Sequence, residues 1–178
     1  GPPGPAPDGV FGPNLRPIVV GADAPARVFS IDGNAGCPYQ ADARANPRYA
    51  GVTIPDGVGR GCAFCTTGNH YEGRPQAEAV EAVLTQLRYV RREAPALDRL
   101  VLRDQNPFGY LTELLARCAD DGVGGFTLLL QTRADWLLQG RRRFGLALDA
   151  AARAGIKVSP FLIGIESFSQ DELDRFNK

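Results

Sequence analysis

The sequence lacks methionine entirely and has one histidine and one tryptophan among 178 residues. Because there is no initiator methionine, and because the chain stops at Lys178 directly after helix-like sequence, we expect it to be a fragment of a longer protein. Net charge is also absent, since 20 basic residues balance 20 acidic ones, and no basic block is present. This charge pattern argues against nucleic acid as the default partner.

Long apolar runs and an export signal are missing as well. Apolar runs such as Phe126–Leu130 are far too short to span a bilayer. No signal peptide is visible, so we expect a cytoplasmic location. Cysteines number only four, and without an export signal they indicate free or metal-bound thiols rather than a disulfide framework. The hydrophobic content of 44% with 22% charged residues is nevertheless typical of a chain that buries a core.

Residues 1–27 are rich in glycine, proline and alanine, which is typical of an arm or linker. Within them, Ile18–Val20 is a short apolar island that can add an edge strand. From residue 28 onward, strand-like and helix-like segments alternate. The predicted strands are Val28–Ile31, Arg99–Leu102, Phe126–Gln131 and Val158–Ile165, and the predicted helices are Pro75 to about Arg92, Tyr110–Ala119, Ala134–Ala154 with an interruption near Gly140, and Gln170–Asn177.

Such alternation predicts an α/β fold with a parallel sheet and right-handed crossovers. The apolar run Phe126–Gln131 predicts a strand buried on both faces. About four β/α units amount to half of a (β/α)8 TIM-like barrel, and chemistry is then expected at the carboxyl ends of the strands.

Three of the cysteines lie in two fragments that read as one motif cut in half. Gly36–Gln40 has the sequence GCPYQ and Gly61–Cys65 has the sequence GCAFC, so together they give a C-x3-C-x2-C pattern. Cys37 follows the first strand, and Cys62 and Cys65 precede the first helix. A zinc site that adds His70 as fourth ligand, and a redox pair of Cys62 and Cys65, are alternatives.

The split motif resembles the cluster-binding loop of radical S-adenosylmethionine (SAM) enzymes. Cys37 and Cys62 are separated by 24 residues where that family usually has three, so the loop carries a 21-residue insertion at about 41–61. Its prolines and glycines predict loop structure with a helical turn near Asp42–Ala45. The resemblance extends over about residues 28–178, the amino-terminal part of the six-unit partial barrel of that family. It implies that Cys37, Cys62 and Cys65 bind three irons of a [4Fe–4S] cluster and leave the fourth iron open.

The resemblance also implies the residues that contact SAM. Phe64 would contact the adenine, unless it only packs the loop. Asp104 and Asn106, at the end of the second strand, would accept hydrogen bonds from the SAM amine, or they form an Asx turn before Pro107. Their assignment follows position, since the sequence Asp-Gln-Asn-Pro departs from the family's glycine-and-acid motif.

Two further strand ends complete the implied SAM site. Gln131 and Arg133 end the third strand, where Arg133 would bind the SAM carboxylate or pair with Asp135. Glu166 lies in the string GIESFS, which resembles the end of the fourth strand in many radical SAM proteins. It would accept hydrogen bonds from the SAM ribose or amine, or it caps the next helix.

The family implies reductive cleavage of SAM to a 5′-deoxyadenosyl radical, which removes a hydrogen atom from a small-molecule or peptide substrate. It also implies an electron donor such as a flavodoxin or ferredoxin. The alternative function is a zinc- or cluster-stapled binding module, or a scaffold, without catalysis. Cys118, on the second helix, is interpreted as a small buried hydrophobic residue outside the metal site.

Overall fold

The structure, a computed structural model, describes residues 28–65 and 73–178. The arm at 1–27, its island Ile18–Val20 and the candidate zinc ligand His70 lie outside the described residues. The elements are β1 (Val28–Ile31), α1 (Gln76–Glu93), β2 (Arg99–Leu102), α2 (Leu111–Asp120), β3 (Thr127–Arg133), α3 (Ala134–Gln139), α4 (Arg141–Arg153), β4 (Lys157–Gly164) and α5 (Gln170–Arg175), with short 3-10 helices at Ala43–Ala45, Pro47–Tyr49 and Pro107–Gly109.

The four strands form one parallel sheet in the order β1-β2-β3-β4. Strand neighbours in the sheet are therefore also neighbours in sequence; one α-helix connects β1 to β2 and β2 to β3, and two connect β3 to β4. The predicted α/β class with a parallel sheet is confirmed. The carboxyl ends of all four strands consequently lie at one edge of the sheet, where the loops that follow them meet.

Helix α1 begins at Gln76, directly after Pro75, whose φ of −52° is already suited to a helix start. Its apolar residues recur at helical spacing, and this places them on one face of the helix. Val80, Val83, Leu84 and Leu87 are fully buried there. The helix thereby covers the sheet next to β1, which positions the loop that carries Cys37.

The hydrophobic core lies on one face of the sheet. Alternate residues of the central strands, Leu100 and Leu102 in β2 and Leu128 and Leu130 in β3, are buried and belong to one cluster with residues of α1, α2 and α4. The intervening residues of β3, such as Leu129, are only partly buried. The prediction that β3 is buried on both faces is therefore right for one face only, because α1, α2 and α4 all pack on the same side.

A glycine follows each of the two helices, α3 and α4, that connect β3 to β4. At Gly140 a Cβ atom would lie 2.7 Å from the carbonyl oxygen of Trp136, which is closer than carbon and oxygen approach without strain. The chain breaks there between α3 and α4, as predicted. Gly155 has a φ of +66°, which glycine adopts at little cost, and it follows α4 in the predicted position.

Strand β4 forms an edge of the sheet and is poorly covered. Its register with β3 shifts between Leu130, which pairs with Pro160, and Gln131, which pairs with Leu162. An edge strand tolerates Pro160 because it requires fewer N–H donors. The apolar residues around the shift are exposed: Phe161 by 47%, Leu162 by 53% and Ile163 by 43%. No helix in the described part of the chain is long and apolar enough to cross a membrane.

Cys118 is fully buried on α2, as predicted, and its burial raises its pKa from 9.0 to about 12. The folded state therefore keeps this thiol protonated up to a higher pH than the unfolded state does. The resulting contribution to stability is fully present below pH 9 and is lost as the pH rises to about 12. We expect the free energy of unfolding to fall by up to about 1.4 kcal/mol per pH unit in this window.

Urea unfolding between pH 8 and 11 would measure this effect. The Cys118→Ala variant should show a shallower alkaline loss than the wild type, although its stability at neutral pH is lower because a buried sulfur is missing. Equal alkaline slopes in the two proteins would show that Cys118 does not titrate as its burial requires.

Candidate functional site

The loop after β1 is held in place by the carboxylate of Asp104. The backbone N–H of Gly33 donates to Oδ2 at 2.7 Å, and that of Ala35 donates to Oδ1 at 2.8 Å. The hydroxyl of Tyr110 also donates to Oδ2. Asp104 is only 4% exposed; its hydrogen bonds with Gly33 and Tyr110 are buried, where such bonds are strongest, and the one with Ala35 is partly buried. Asp104 thus connects the end of β2 to the segment that leads into Cys37.

Two further features fix the same loop. A Cβ atom at Gly33 would lie 2.7 Å from Oδ2 of Asp104, so only glycine fits. Gln86 of α1, which is 2% exposed, accepts from the N–H of Asp32 at 3.1 Å and donates to its carbonyl at 2.7 Å. Burial raises the pKa of Asp32, and the neighbouring charge of Asp104 raises it further. Cys37 therefore follows a turn that is held in place by hydrogen bonds with Asp104 and Gln86.

The insertion is a loop whose two ends lie next to each other. Its two ends run antiparallel, with a bridge between Asp42 and Arg60. The N–H of Gly61 donates to the carbonyl of Ala41 at 2.9 Å, and the N–H of Ala43 donates to the carbonyl of Gly59 at 2.7 Å. The predicted turn near Asp42–Ala45 is present as the 3-10 helix Ala43–Ala45, and its N-cap Asp42 accepts from the N–H of Arg44 at 2.9 Å. A second 3-10 helix, Pro47–Tyr49, was not predicted.

The insertion packs against the carboxyl-terminal helix of the described chain. The side chain of Asn46 donates to the carbonyl of Asp174 at 2.6 Å. The hydroxyl of Tyr49 donates to the carbonyl of Arg175, and Arg48 forms an ion pair with Asp171. These contacts join segments about 125 residues apart in sequence, as the separation of 126 between Tyr49 and Arg175 illustrates.

The fold brings Cys37, Cys62 and Cys65 together beyond the strand ends. All three side chains are of intermediate exposure. Burial raises the pKa of Cys62, and the charges of Cys37 and Cys65 raise it further, whereas the nearby cations Arg133 and Lys178 lower it. Cys37 and Cys65 therefore each lie close enough to Cys62 to affect its ionisation, although the insertion separates Cys37 from Cys62 in sequence.

Arg133, at the end of β3, lies at the centre of the charged groups around the thiols. Its guanidinium forms two hydrogen bonds with Asp135, at 2.9 and 2.8 Å, which is the ion pair that the sequence left open. A third nitrogen, Nη1, lies 3.7 Å from Sγ of Cys62, and the guanidinium stacks over the ring of Tyr39 at 3.7 Å from its centroid. Burial raises the pKa of Tyr39.

Asn106 and Thr132 meet at the ends of β2 and β3. The Thr132 hydroxyl donates to Oδ1 of Asn106 at 3.1 Å, and both residues are 4% exposed. The amide nitrogen of Asn106 is buried and has no hydrogen-bond partner in the described part of the chain. Gln131, by contrast, donates to the backbone carbonyl of Arg103 at 3.0 Å. Asn106 is thus a buried donor that has an unused hydrogen-bonding capacity.

Glu166 has a φ of +54°, and its carboxylate forms an ion pair with Lys178. The N-cap of α5 is Ser169. Glu166 is therefore not the helix cap that the sequence allowed as an alternative. The Lys178 side chain is 7% exposed, and burial lowers its pKa, with the repulsion from Arg133 as a second cause. Phe64, 56% exposed, packs edge-on against Phe176 at 5.6 Å between ring centroids.

A cavity of about 290 Å³ lies between the insertion and the segment after β4. Its lining residues are Tyr39, Asn46, Pro47, Arg48, Asp174, Asn177 and Lys178. Two lining residues connect this cavity to the thiols. Tyr39 stacks on Arg133, which contacts Cys62. Lys178 lies close enough to Cys62 for the charge of that thiol to raise the pKa of Lys178, whereas burial lowers it. The insertion therefore forms one wall beside the cysteine site.

The donor types suit an iron–sulfur cluster, but their present arrangement does not form a metal site. Thiolates are the usual protein ligands of such clusters, and three of them converge after β1 and before α1. Within residues 28–65 and 73–178, no group of three or more histidine, cysteine or acidic side chains is already arranged as a metal site. The thiols would therefore have to reorient in order to share a metal.

Comparison with known proteins found no relatives. Neither the protein-family models nor the curated proteins nor the solved structures gave a match to this chain. The functional interpretation consequently rests on the residues of the site.

The sequence motifs did not indicate several residues of this site. Tyr39 belongs to the quoted GCPYQ fragment, and its aromatic ring beside a cysteine was a usable signal. Lys178 and Asn177 follow α5 and reach the site only through the fold. Sequence reasoning had no signal for their place at the site, because Asn177 contacts Ala41 and Gly61, and Lys178 affects Cys62, across more than one hundred positions.

Proposed function

We propose that this protein is a radical SAM enzyme, with Cys37, Cys62 and Cys65 as ligands of a [4Fe–4S] cluster. The observation that carries the proposal is that the two ends of the 21-residue insertion meet, through the 2.9 Å hydrogen bond from the N–H of Gly61 to the carbonyl of Ala41, so that Cys37, after β1, and the Cys62–Cys65 pair, before α1, belong to one loop region of a parallel sheet. A redox pair needs only two of these three cysteines. The strand order β1-β2-β3-β4 with the core on one face also suits a partial (β/α) barrel, in which the opposite face lines the interior.

When bound, the cluster and SAM would supply reductive C–S bond cleavage and the radical chemistry that follows. The contribution of the chain is to hold and orient these groups. Asp104 fixes the loop that carries Cys37 and already accepts three hydrogen bonds from within the protein, so we assign it a positioning role. The free amide donor of Asn106 suits an anionic group, such as the SAM carboxylate.

Cations near the thiols have a second role in the proposal. Arg133 lies 3.7 Å from the Cys62 sulfur, and Lys178 is buried nearby. Both favour the thiolate that a metal requires, against the burial that raises the pKa of Cys62. Such free thiols persist in a reducing compartment, which is consistent with the cytoplasm.

The direct test is anaerobic reconstitution with iron and sulfide, followed by SAM and a strong reductant. We expect release of 5′-deoxyadenosine and methionine in amounts that depend on the cluster. A protein that takes up stoichiometric zinc without sulfide, and that leaves SAM intact, would instead be the non-catalytic binding module.

Glu166 provides a sharper test of SAM binding. We expect Glu166→Ala to weaken SAM binding by roughly ten- to a hundredfold, because one lost charge-assisted hydrogen bond is worth about 1.5–3 kcal/mol and about 1.4 kcal/mol is tenfold. The cluster should remain, since Glu166 is not among its ligands. SAM titration, followed through the spectroscopic change of the cluster, measures the affinity.

The matched control is Glu172→Ala. Glu172 is an exposed carboxylate of the next helix that contacts Ser167, so its removal should leave SAM affinity unchanged. If Glu166→Ala and the wild type bind SAM equally well with intact clusters, Glu166 serves only its ion pair with Lys178.

A further inference from the structure

Besides the backbone hydrogen bond from Gly61 to Ala41, one side chain, that of Asn177, holds the two ends of the insertion together. Its amide nitrogen donates to the carbonyl of Ala41 at 3.0 Å and to the carbonyl of Gly61 at 2.8 Å. Ala41 begins the insertion, and Gly61 directly precedes Cys62. A single amide group therefore binds both ends of the insertion.

Asn177 is itself held firmly. It is 5% exposed, and its side-chain oxygen accepts from Nδ2 of Asn46 at 3.1 Å. Its backbone N–H donates to the carbonyl of Asp174 at 3.1 Å, and its φ is +52°, a region that asparagine tolerates better than most residues. Each hydrogen-bonding group of its side chain has a partner inside the protein, which is expected for a structural anchor.

We propose that Asn177 is a positioning residue that closes the neck of the insertion and so brings Cys37 next to Cys62. With the neck open, 24 residues of chain separate the two cysteines. With it closed, Pro38, Tyr39, Gln40, Ala41 and Gly61 alone form the path between them. The inference rests on the proposed function for the identity of the metal. The proximity of the two thiols, however, can be measured without any metal.

The measurement uses dibromobimane, a reagent that cross-links two neighbouring thiols and becomes fluorescent on doing so. In the full chain that carries Cys65→Ser and Cys118→Ala, only Cys37 and Cys62 remain for cross-linking. We expect this background to give an intramolecular Cys37–Cys62 product, identified by peptide mass spectrometry. Circular dichroism confirms that each variant is folded.

Two variants separate the side chain from the backbone. Asn177→Gly keeps the positive φ without strain and removes the amide, whereas Asn177→Asp keeps the shape and an acceptor but removes both donated hydrogen bonds. We expect both to lower the cross-linking rate by roughly tenfold, the order by which the loss of two hydrogen bonds shifts an open–closed equilibrium. Gln170→Ala, which removes only an exposed contact to Asp174, should leave the rate unchanged.

A deletion provides the decisive control. Removing residues 42–60 joins Ala41 to Gly61 by a peptide bond, which makes the clamp unnecessary, so Asn177→Gly should have no effect on cross-linking in that background. A normal rate in Asn177→Gly with the insertion present would overturn the proposal. So would an equal loss with and without the insertion, because it would show that Asn177 acts on the fold in general. Normal cross-linking in the chain that carries Cys65→Ser and Cys118→Ala, together with no iron uptake by the wild type, would refute the proposed function and leave this inference standing.

Discussion

Replacing Cys62 by alanine is expected to abolish iron binding, whereas replacing Cys118 leaves it intact. Anaerobic reconstitution of the wild type should give roughly four irons and four sulfides per chain, the content of a [4Fe–4S] cluster. The loss should be complete, because two remaining thiolates would leave two irons without protein ligands. Iron and sulfide analysis, together with the visible absorption of the cluster, measures the result.

Cys118→Ala is the matched control because it removes a thiol that is fully buried on α2, away from the strand ends. Cys37→Ala tests the split motif specifically, since Cys37 lies on the far side of the insertion. If Cys37→Ala retains a full cluster, the two fragments are not halves of one motif. If Cys118→Ala and Cys62→Ala lose iron equally, the assignment of ligands is wrong.

The second large effect concerns Asp104. We expect Asp104→Ala to lower the free energy of unfolding by about 3–5 kcal/mol, because one buried and one partly buried backbone donor lose a carboxylate acceptor that is worth about 1.5–3 kcal/mol for each hydrogen bond. The donors are the N–H groups of Gly33 and Ala35, which lead into Cys37. The variant should therefore also bind iron poorly, even at temperatures where it is folded. Urea unfolding and iron content measure the two effects.

Two controls bracket this prediction. Tyr110→Phe removes the third hydrogen bond to Asp104 but leaves both backbone contacts, so we expect a loss of about 0.5–1.5 kcal/mol. Asp98→Ala removes an exposed carboxylate and should change stability by about 0.5 kcal/mol or less. A stable Asp104→Ala variant that binds a full cluster would show that the loop does not depend on this carboxylate.

Much of the fold was predictable because it depends on local patterns. The predicted bounds of β1 and β2 coincide with the observed ones, and those of the other elements differ by one or two residues, as is normal at element ends. Short runs of β-prone residues and the 3.6-residue spacing in α1 carry this information within the elements themselves. The burial of β3 on one face only was not predictable, because it depends on which side of the sheet each helix covers.

The site was predictable only in part, for a related reason. The sequence indicates polar residues at the strand ends, but it cannot tell whether their groups face a ligand or the protein. Asp104 faces backbone N–H groups of the first loop, and Arg133 pairs with Asp135, whereas Asn106 retains a free donor. These outcomes depend on contacts between different strand ends.

The sequence by itself determined the alternation of strands and helices, the parallel sheet and the two halves of the cysteine motif. These follow from periodicity and from residue types at short spacing, which act within a few residues of one another. Tertiary structure decided how the halves meet. Asn177 reaches Ala41 and Gly61 across 136 and 116 residues of sequence. Such contacts require the loops after β1 and β4 to meet beyond the carboxyl ends of the strands, which depends on the whole sheet, so no local pattern records them.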